Sequence, residues 1–327
     1  MRILVTGGAG YVGSHAVRHL VRAGHEVRVF DNLSLGHRAA VPAGLLVEGD
    51  LADRTAIARA LTDHRIEAVM HFAALALVGE SVQHPERYYQ CNVINALNLL
   101  EAMRLTGVGK LVFSSTTATY GVPERMPITE SVDQKPINPY GFTKVVFERA
   151  MADYAHAHGL AYAALRYFNA AGASSDGVIG EDHDPESHLI PIVLQVALGQ
   201  RESITILGDD YPTPDGTCIR DYVHVEDLAN AHLLALERLQ PGQGLKLNLG
   251  TGHGHSVRQV IDACRKITGH PIPAVIGPRR PGDPPELVAD STLARSTLGW
   301  QPKYGDIESI VATAWKWHST HPHGYAD

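Results

Sequence analysis

The sequence predicts an α/β fold built on a doubly wound parallel sheet, followed by a smaller α/β unit. Three observations lead to this prediction. Short apolar runs alternate with helical patterns through the first half of the 327-residue chain, which is the order of elements in a parallel sheet covered by helices on both faces. A glycine-rich turn joins the first apolar run to the first helix. Beyond about residue 170, loops rich in Gly, Pro and Asp replace the alternation, notably at 208–216 and 277–285.

The first elements of the chain fit a dinucleotide site. The strand predicted over residues 1–6 leads into Gly7, Gly10 and Gly13, spaced G-x-x-G-x-x-G at the start of a helix. Glycines permit the tight turn there and let a pyrophosphate approach the backbone at the helix N-terminus. The second strand, 26–30, ends at Asp31, whose carboxylate suits hydrogen bonds to both ribose hydroxyls of adenosine. No arginine follows Asp31 directly to hold a 2′-phosphate, so the pattern indicates a Rossmann-type fold that binds NAD.

The rest of the first unit continues the alternation. Further strands are predicted at 45–47, 68–72, 110–114 and 160–166, and helices at 55–64, 85–106 and 139–158. Ligands of such sheets collect at the carboxyl ends of the strands. We therefore expect the site at the residues that follow those ends, 50–51, 72–75, 114–116 and 168–169. We expect an NAD-binding domain over 1–170 and a mainly substrate-binding domain over 171–327, with the chain crossing back to the first domain near 221–255.

Composition limits the partners and the location. The net charge of −7 is mild and no basic run is long, which argues against nucleic acid as a partner. No stretch approaches the ~20 apolar residues of a membrane span, and we expect no signal peptide because the first apolar segment runs straight into the glycine turn. Cys91, Cys218 and Cys264 are widely separated and form no C-x-x-C pair, which favours a reducing cytoplasm. The histidines show no H-E-x-x-H or similar ligand spacing, so we expect no metal site.

Tyr140 and Lys144 form the most informative pair in the chain. They lie four residues apart in the segment NPYGFTK, on one face of a helix that Asn138 caps and Pro139 begins. A tyrosine acts as a base only as phenolate, and its reference pKa is about 10. Reaching neutrality needs roughly 4 kcal/mol of phenolate stabilisation, which one lysine at about 4 Å supplies only at an effective dielectric of about 20. The pair therefore needs a cleft and, ideally, a second positive charge.

Long motifs elsewhere in the chain resemble one known family. They are HFAALALVGESVQHP (71–85), FSSTTATYG (113–121), NPYGFTK (138–144), LRYFNAAGA (165–173), GDDYPTPDGTCIRDYVHVEDLA (208–229) and RRPGD (279–283). With them the chain resembles the extended short-chain dehydrogenase/reductases and, within these, the UDP-glucose 4-epimerase family, from residue 2 to residue 325. The resemblance implies a tightly held NAD that is recycled within each turnover, and a UDP-hexose bound mainly by the second domain. It also implies a homodimer in which the helices near 85–106 and 139–158 of two subunits form a four-helix bundle.

The resemblance assigns three catalytic residues. Tyr140 corresponds to the family's base, Lys144 to the lysine that holds the nicotinamide ribose and lowers the tyrosine pKa, and Thr116 to the hydroxyl that bridges the sugar 4-hydroxyl and the tyrosine. The phenolate then accepts the 4-OH proton, directly or through Thr116, while the C4 hydride moves to NAD⁺. The 4-keto sugar rotates, and hydride return to its other face inverts C4. The result is the reversible interconversion of UDP-glucose and UDP-galactose. The positively charged nicotinamide is the second positive charge that the pKa argument for Tyr140 requires.

The resemblance also implies the residues that contact the two ligands. The cofactor contacts correspond to Gly7, Gly10, Tyr11, Val12, Gly13, Asp31, Asn32, Asp50, Leu51, Phe72, Ala73, Ala74, Asn92, Tyr140, Lys144 and Phe168. The substrate contacts correspond to Thr116, Tyr140, Asn169, His188, Leu189, Thr205, Ile206, Leu207, Arg220, Arg280, Asp283 and Leu287. Two arginines suit a diphosphate because each guanidinium can form two charge-assisted hydrogen bonds to phosphate oxygens.

Three positions depart from the family pattern. Ala76 stands where the pattern has a lysine near the cofactor phosphates, and His188 stands where some relatives have the asparagine of the uracil loop. Leu287 occupies a position beside the sugar 2-substituent that is a bulky tyrosine in the narrow-specificity bacterial enzyme. The smaller Leu287 leads to the hypothesis that a 2-acetamido group fits, so that UDP-GlcNAc and UDP-GalNAc are also interconverted.

The residues at the predicted site favour some of the alternative functions and disfavour others. A 4,6-dehydratase needs Asp-Glu directly after the threonine as acid and base, and Thr117-Ala118 cannot do that work. UDP-glucuronate epimerisation lacks a clearly assigned cation for the C6 carboxylate. A UDP-pentose (arabinose/xylose) 4-epimerase uses the same groups and stays open. A non-catalytic NAD-binding regulator is disfavoured because Tyr140, Lys144 and Thr116 are all retained.

Overall fold

The structure is a computed structural model that describes residues 1–280 and 282–326. Pro281, within the motif at 279–283, and Asp327, the last residue of the predicted second domain, lie outside the described residues. The strands, in chain order, are β1 (Arg2–Thr6), β2 (Glu26–Asp31), β3 (Leu46–Glu48), β4 (Ala68–His71), β5 (Lys110–Thr116), β6 (Ala161–Tyr167), β7 (Asn169–Ala171), β8 (Ile204–Leu207), β9 (Ile219–His224), β10 (Gly244–Leu249), β11 (Gly254–Ser256), β12 (Ala274–Gly277) and β13 (Glu286–Leu287).

Eleven α-helices connect these strands within the described residues. They are α1 (Tyr11–Arg22), α2 (Arg54–Asp63), α3 (Val78–Gln83), α4 (Pro85–Tyr89), α5 (Ala96–Thr106), α6 (Pro139–His158), α7 (Leu189–Ala197), α8 (Val225–Arg238), α9 (Val257–Thr268), α10 (Thr292–Leu298) and α11 (Ile307–Thr320). None of the helices in 1–280 and 282–326 has the length and apolarity that crossing a bilayer requires.

The large sheet confirms the predicted doubly wound fold. Its seven strands are all parallel and lie in the order β10-β6-β5-β4-β1-β2-β3. Successive residues of β1 point to opposite faces of the sheet. Ile3 belongs to an apolar cluster with Val17 of α1, whereas Leu4 belongs to a second cluster with Ile57 of α2 and Phe147 of α6. Helices therefore cover both faces, which explains the uninterrupted apolar runs of the strands.

The strand order reverses at β1, which lies between β2 and β4. At such a point the connections leave in opposite directions, so a crevice opens at the carboxyl ends of the strands. The turn after β1 and the segment after β4 border this crevice. The predicted ligand-binding residues of the first unit follow these strand ends.

A third apolar cluster holds the smaller unit together. Val193 of α7, Ile261 of α9 and Val311 of α11 are all buried in it. Strands β8 and β12 form a parallel pair beside these helices. In a separate small sheet, β9 pairs with β11 in antiparallel fashion and with β7 and β13 in parallel fashion.

The chain passes between the two units more than once. Strand β9 belongs to the small sheet, but α8, which follows it, packs beside α1 on the large sheet. Strand β10 then pairs with β6 at the edge of the large sheet, and β11 returns to the small one. Residues 225–249 are therefore part of the large-sheet layer.

The predicted helix 85–106 differs from the observed structure in its middle. A π-helical turn, Gln90–Asn95, separates α4 from α5. Asn92, within this turn, is buried with 4% exposure and bonds through its side chain to the backbone of Leu75. These bonds tie the widened turn to the segment after β4. Such π-turns inside α-helices often occur at functional sites.

Candidate active site

The turn after β1 forms a cradle at the start of α1. Gly7 has a left-handed φ of +71°, and a Cβ at this position would collide with the backbone of Ala73. A Cβ on Gly13 would overlap the carbonyl oxygen of Gly7. Gly10 is the N-cap and offers no side-chain cap, so the first N–H groups of α1 lack intrahelical acceptors. Because the glycines have no side chains, a pyrophosphate can approach the backbone closely and accept hydrogen bonds from these N–H groups. Bound NAD requires such a site.

Tyr11 and Val12 open α1 directly after this turn. The Tyr11 hydroxyl donates to the carbonyl oxygen of Gly172 at 2.6 Å, which ties the start of α1 to the residue that follows β7. Val12 packs against the large apolar cluster on the same face as α8. Burial raises the pKa of Tyr11 well above its usual value, and the nearby Glu181 and Glu186 add to this effect. Tyr11 is therefore a neutral hydrogen-bond donor.

Asp31 lies at the end of β2, next to the cradle. Its Oδ2 accepts the N–H of Ala9 and its Oδ1 accepts the N–H of Leu33, each at 2.9 Å. Burial raises the pKa of Asp31, and these two hydrogen bonds oppose the rise. Each carboxylate oxygen keeps a second lone pair, so the side chain can still accept ribose hydroxyls. Asn32 donates to Asp50 at 2.7 Å, which holds the ends of β2 and β3 together.

The segment after β4 contains several predicted cofactor contacts. The Phe72 ring lies 4.7 Å from the His232 ring, centroid to centroid, and the Ala73 N–H donates to Thr6. Asn92 exchanges two 2.9 Å hydrogen bonds with the backbone of Leu75. In this structure the Asn92 amide therefore shapes the segment that would line the cofactor. The other predicted contacts lie at strand ends and are Leu51, which is buried, and Ala74 and Phe168, which are half-buried.

The three predicted catalytic residues come together at the end of β5. Lys144 is one turn beyond Tyr140 on α6, and its Nζ lies 5.8 Å from the centroid of the Tyr140 ring. The same Nζ donates to the carbonyl oxygen of Ser114 at 2.9 Å. The side chain of Thr116, the last residue of β5, lies close enough to Tyr140 to lower the pKa of its phenol. Thr116 and Lys144 are 9% and 3% exposed, so the group has the cleft that the pKa argument requires.

Burial disfavours both charged forms of the pair. It raises the pKa of Tyr140, and the side chain of Thr116 offsets the rise only in part. It lowers the pKa of Lys144 to about 8. A further positive charge beside the phenol would favour the phenolate, because an opposite charge stabilises the ionised form. The phenol alone is therefore not an active base, which agrees with the need for a second charge.

A buried ionic network, which the sequence analysis missed, anchors the same helix. Glu148 follows Lys144 by one turn, is 1% exposed and pairs with Arg166 of β6, which is 3% exposed. Ser115 donates to Glu148 at 2.6 Å, and Arg166 donates to the Tyr120 hydroxyl at 2.7 Å. The spacing of four residues from Lys144 is a signal in the sequence. The partner in β6 gives no such signal, because it depends on the packing of α6 against the sheet.

Four predicted substrate contacts lie together in the small sheet. Arg220 of β9 pairs with Asp283. Leu287 of β13 is the direct neighbour of Arg220 in the strand register. Asn169 of β7 is the neighbour of Tyr222, two residues further along β9. The structure thus groups a cation, its counter-ion, an amide and an apolar side chain.

The other predicted substrate contacts are more dispersed. His188 is the N-cap of α7 and its Nδ1 lies 2.9 Å from Glu186, while Leu189 begins that helix. Thr205 is exposed on β8 and Leu207 is half-buried. Ile206 is 3% exposed within the core of the smaller unit, so only its backbone can contact a nucleotide. Arg280 is exposed.

One further cluster was missed from the sequence. Glu181, His183, Glu186 and His188 lie in the segment before α7, and one ligating atom from each lies within 4.8 Å of all the others. The expectation of no metal site rests on the absence of an H-E-x-x-H or similar ligand spacing. The spacing E-x-H-x-x-E-x-H at 181–188 is the signal that it overlooked.

Comparison with known proteins places this site in a family. Residues 3–250 match the model of the NAD dependent epimerase/dehydratase family. The chain belongs to this family. The chain is 56% identical over 327 residues to a UDP-glucose 4-epimerase of Halalkalibacterium halodurans, a match that covers 100% of this chain and 98% of the relative.

Solved structures agree with this assignment. A crystal structure of a UDP-glucose 4-epimerase matches the epimerase with a TM-score of 0.98 at 52% identity and covers 100% of both chains. A UDP-glucose 4-epimerase from Brucella ovis, solved in complex with NAD, matches with a TM-score of 0.93 at 50% identity over 96% of this chain and 97% of the other. The predicted fold, enzyme class and cofactor are confirmed: the epimerase is an NAD-dependent isomerase. The roles of individual residues stay predictions.

Proposed function

We propose that the epimerase inverts C4 of a UDP-hexose, interconverting UDP-glucose and UDP-galactose, with Tyr140, Thr116 and Lys144 as its proton-handling residues. The main observation is that Thr116, at the end of β5, and Lys144 both lie beside Tyr140. The chain is also 56% identical, over its whole length, to a UDP-glucose 4-epimerase. The predicted UDP-hexose epimerisation is therefore preferred over the alternatives.

The residues divide the proton chemistry among them. Bound NAD supplies the hydride acceptor and donor. Tyr140 takes the proton of the sugar 4-hydroxyl and returns it after C4 has inverted, with Thr116 as the bridging hydroxyl. Lys144, held by its bond to Ser114, keeps an ammonium near the phenol and so favours the phenolate.

The small sheet supplies the groups for the UDP moiety. Arg220 donates to Asp283 and to the carbonyl oxygens of Ile219 and Pro284, which leaves its Nε–H and one Nη1–H for a phosphate oxygen. Arg280 is exposed and lies close to Asp283 in the sequence. Its side chain can therefore turn toward the second phosphate. We assign the uridine to the start of α7 and to β8, through Leu189, Thr205, Leu207 and the backbone of Ile206. His188 and Asn169 complete the predicted contacts.

A panel of UDP-sugars tests the substrate. The purified epimerase is incubated with UDP-glucose, UDP-GlcNAc, UDP-xylose and UDP-glucuronate, without added NAD, and the C4 epimers are separated. We expect UDP-galactose from UDP-glucose, and no epimer of UDP-glucuronate. Turnover of UDP-xylose alone would replace the proposal with a UDP-pentose epimerase. Bound NAD with all four sugars unchanged would indicate a regulator.

Leu287 decides the tolerance for the sugar 2-substituent. It is the neighbour of Arg220 in the sheet register, and we assign it to the pocket wall beside the sugar 2-substituent. We expect Leu287→Tyr to lower UDP-GalNAc turnover about 10-fold or more and to leave UDP-galactose turnover nearly unchanged. The control is Leu287→Met, which conserves volume and should retain both activities. Equal UDP-GalNAc turnover by wild type and Leu287→Tyr would remove the basis for this hypothesis.

We also propose that two copies of the chain form the predicted four-helix bundle. The helices near 85–106 and 139–158 expose several large apolar side chains: Tyr89 is 40%, Ile94 49% and Phe142 47% exposed. The rings of Tyr89 and Phe142 lie 6.4 Å apart, so these side chains form one apolar surface across α4 and α6. Burying it would provide a driving force for association. Sedimentation at micromolar concentration should give a dimer, and Phe142→Glu should shift it toward monomer.

The cytoplasm is the proposed location. Cys91, Cys218 and Cys264 are free thiols, and two of them are buried. Free thiols of this kind are typical of a reducing compartment. Fractionation of cells that express the enzyme would contradict this location if the activity appeared with the secreted proteins.

A further inference from the structure

Glu181, His183, Glu186 and His188 form a compact group of nitrogen and oxygen ligands outside the proposed catalytic centre. They lie in the segment that leads from β7 to α7, and Tyr11 packs its ring edge-on against His183. The ligating atoms all lie within 4.8 Å of one another. Two imidazoles and two carboxylates are a ligand set that zinc and similar divalent metals bind.

The distances within the group approach those of a tetrahedral site. His183 Nδ1 lies 3.4 Å from Glu181 Oε1 and 3.6 Å from Glu186 Oε2. His188 Nδ1 lies 3.0 Å from Glu181 Oε1 and 2.9 Å from Glu186 Oε1. With metal–ligand bonds of about 2.0–2.2 Å, tetrahedral ligand atoms lie roughly 3.3–3.6 Å apart. The two pairs that involve His188 need to open by a few tenths of an ångström, and the pairs that lie farther apart, up to 4.8 Å, need to close.

Burial and charge both favour a cation at this place. The Glu181 and Glu186 side chains are 4% and 5% exposed, and each has the two histidines as ion-pair partners. His183 Nδ1 is shielded from solvent and has no hydrogen-bond partner among the described residues. Without a metal, balancing the two carboxylates requires a proton on each imidazole, with the rings only 4.9 Å apart.

We propose that Glu181, His183, Glu186 and His188 bind one divalent transition metal of the zinc type in a closed structural site. Four protein ligands fill a tetrahedral shell and leave no open position for substrate, which is typical of a structural site. Mg²⁺ and Ca²⁺ prefer shells of oxygen atoms and fit the imidazole pair poorly. The metal therefore stabilises structure, and the epimerisation chemistry stays with the group at the end of β5.

The metal would fix the segment that joins the two units. Asp182, between the ligands, accepts the N–H of Tyr325 at 2.9 Å, and its carbonyl oxygen lies 3.2 Å from His37 Nε2. His188 is the N-cap of α7, next to Leu189, the proposed uridine contact. Coordination through Nδ1 leaves the Nε2 atom of His188 for the nucleotide. Loss of metal should thus weaken UDP binding and thermal stability more than the rate of the hydride step.

Metal content and cobalt spectra test this proposal. The full chain is purified without a histidine tag, and its zinc is measured by elemental analysis. We expect about one zinc per chain in the wild type and in the control His156→Ala, since His156 is exposed on α6 away from the cluster. His183→Ala and Glu181→Gln should each lose most of the metal. Cobalt added to chelator-treated wild type should give the visible absorption of a tetrahedral nitrogen–oxygen site.

Thermal unfolding supplies a readout that does not depend on activity. A chelator should lower the Tm of the wild type and of His156→Ala, and added zinc should restore it, because a ligand of the native state stabilises that state. The Tm of His183→Ala should not respond to either reagent. Equal metal content in wild type and His183→Ala, or apo wild type that gives no tetrahedral cobalt spectrum, would overturn the proposal and leave a histidine–glutamate ion-pair cluster.

Discussion

Replacing Tyr140 by phenylalanine should reduce kcat for UDP-galactose by about 10²- to 10⁴-fold, the range contributed by a positioned general base. The variant keeps the ring and its packing against Tyr88 but loses the atom that takes the sugar proton. The glycine cradle and Asp31 are untouched, so NAD should remain bound in near-equal amount. The measurements are epimer formation and the NAD released on denaturation.

The pH dependence of kcat provides a second test of the role of Tyr140. In the absence of ligands, burial holds the pKa of Tyr140 above its usual value, so the activity of the holoenzyme depends on the cations that favour the phenolate. Wild-type kcat should fall as the pH drops through the pKa of Tyr140, because the protonated phenol is no base. The residual activity of Tyr140→Phe should lack this dependence.

Tyr88→Phe is the matched control. It removes a hydroxyl from a buried tyrosine whose ring lies 6.5 Å from that of Tyr140, centroid to centroid, but whose hydroxyl bonds to Leu77 and Glu80. We expect a loss of about 1 kcal/mol in stability and less than about a tenfold change in kcat, since that hydroxyl handles no substrate proton. Near-normal activity of Tyr140→Phe would contradict the proposed role of the phenol.

Replacing Glu148 by glutamine should cost about 3–5 kcal/mol in the free energy of unfolding, the usual result of leaving one buried charge of a pair unmatched. Glu148 and Arg166 are 1% and 3% exposed, so the guanidinium would have no access to water. The measurement is urea-induced unfolding followed by fluorescence. Because Glu148 shares α6 with Tyr140 and Lys144, kcat should also fall as the helix loses its tie to β6.

The same helix offers a control for this prediction. Arg149 and Asp153 form an ion pair whose side chains are 78% and 60% exposed. Removing that pair by Asp153→Asn should cost only about 0.3–0.5 kcal/mol. The double change Glu148→Leu with Arg166→Met should recover part of the lost stability, because no charge stays unpaired. A similar loss in the free energy of unfolding for Glu148→Gln and Asp153→Asn would show that the buried pair is no more important for stability than the exposed pair.

The sequence predicts best what depends on neighbouring residues. Gly7, Gly13 and Asp31 were predicted because a strand, a tight turn and a helix follow each other directly, and their chemistry is local. Tyr140 and Lys144 were recognised from a helical spacing of four. The doubly wound sheet followed from the order of elements alone. The cradle and the grouping of Thr116 with the catalytic pair agree in the structure with those local patterns.

Contacts between distant segments were harder to foresee. The two hydrogen bonds between the Asn92 side chain and the Leu75 backbone depend on how the π-turn packs on the segment after β4. Arg166 meets Glu148 only because α6 lies on β6. Ile206 is buried and its neighbour Thr205 is exposed because successive side chains of a strand point to opposite faces. This alternation could have predicted that the two side chains do not both contact the nucleotide. The glutamate–histidine cluster is held by an irregular loop, which matches no familiar metal-binding template.

The chain returns to the large sheet at residues 225–249, so the two units cannot be separated by a single cut in the chain. Strand β6 is buried along its entire length, and β10 covers its outer edge. A fragment that stopped at residue 170 would expose that edge as a row of unpaired backbone groups, a template for aggregation. The large sheet therefore becomes complete only after residue 249 has been synthesised.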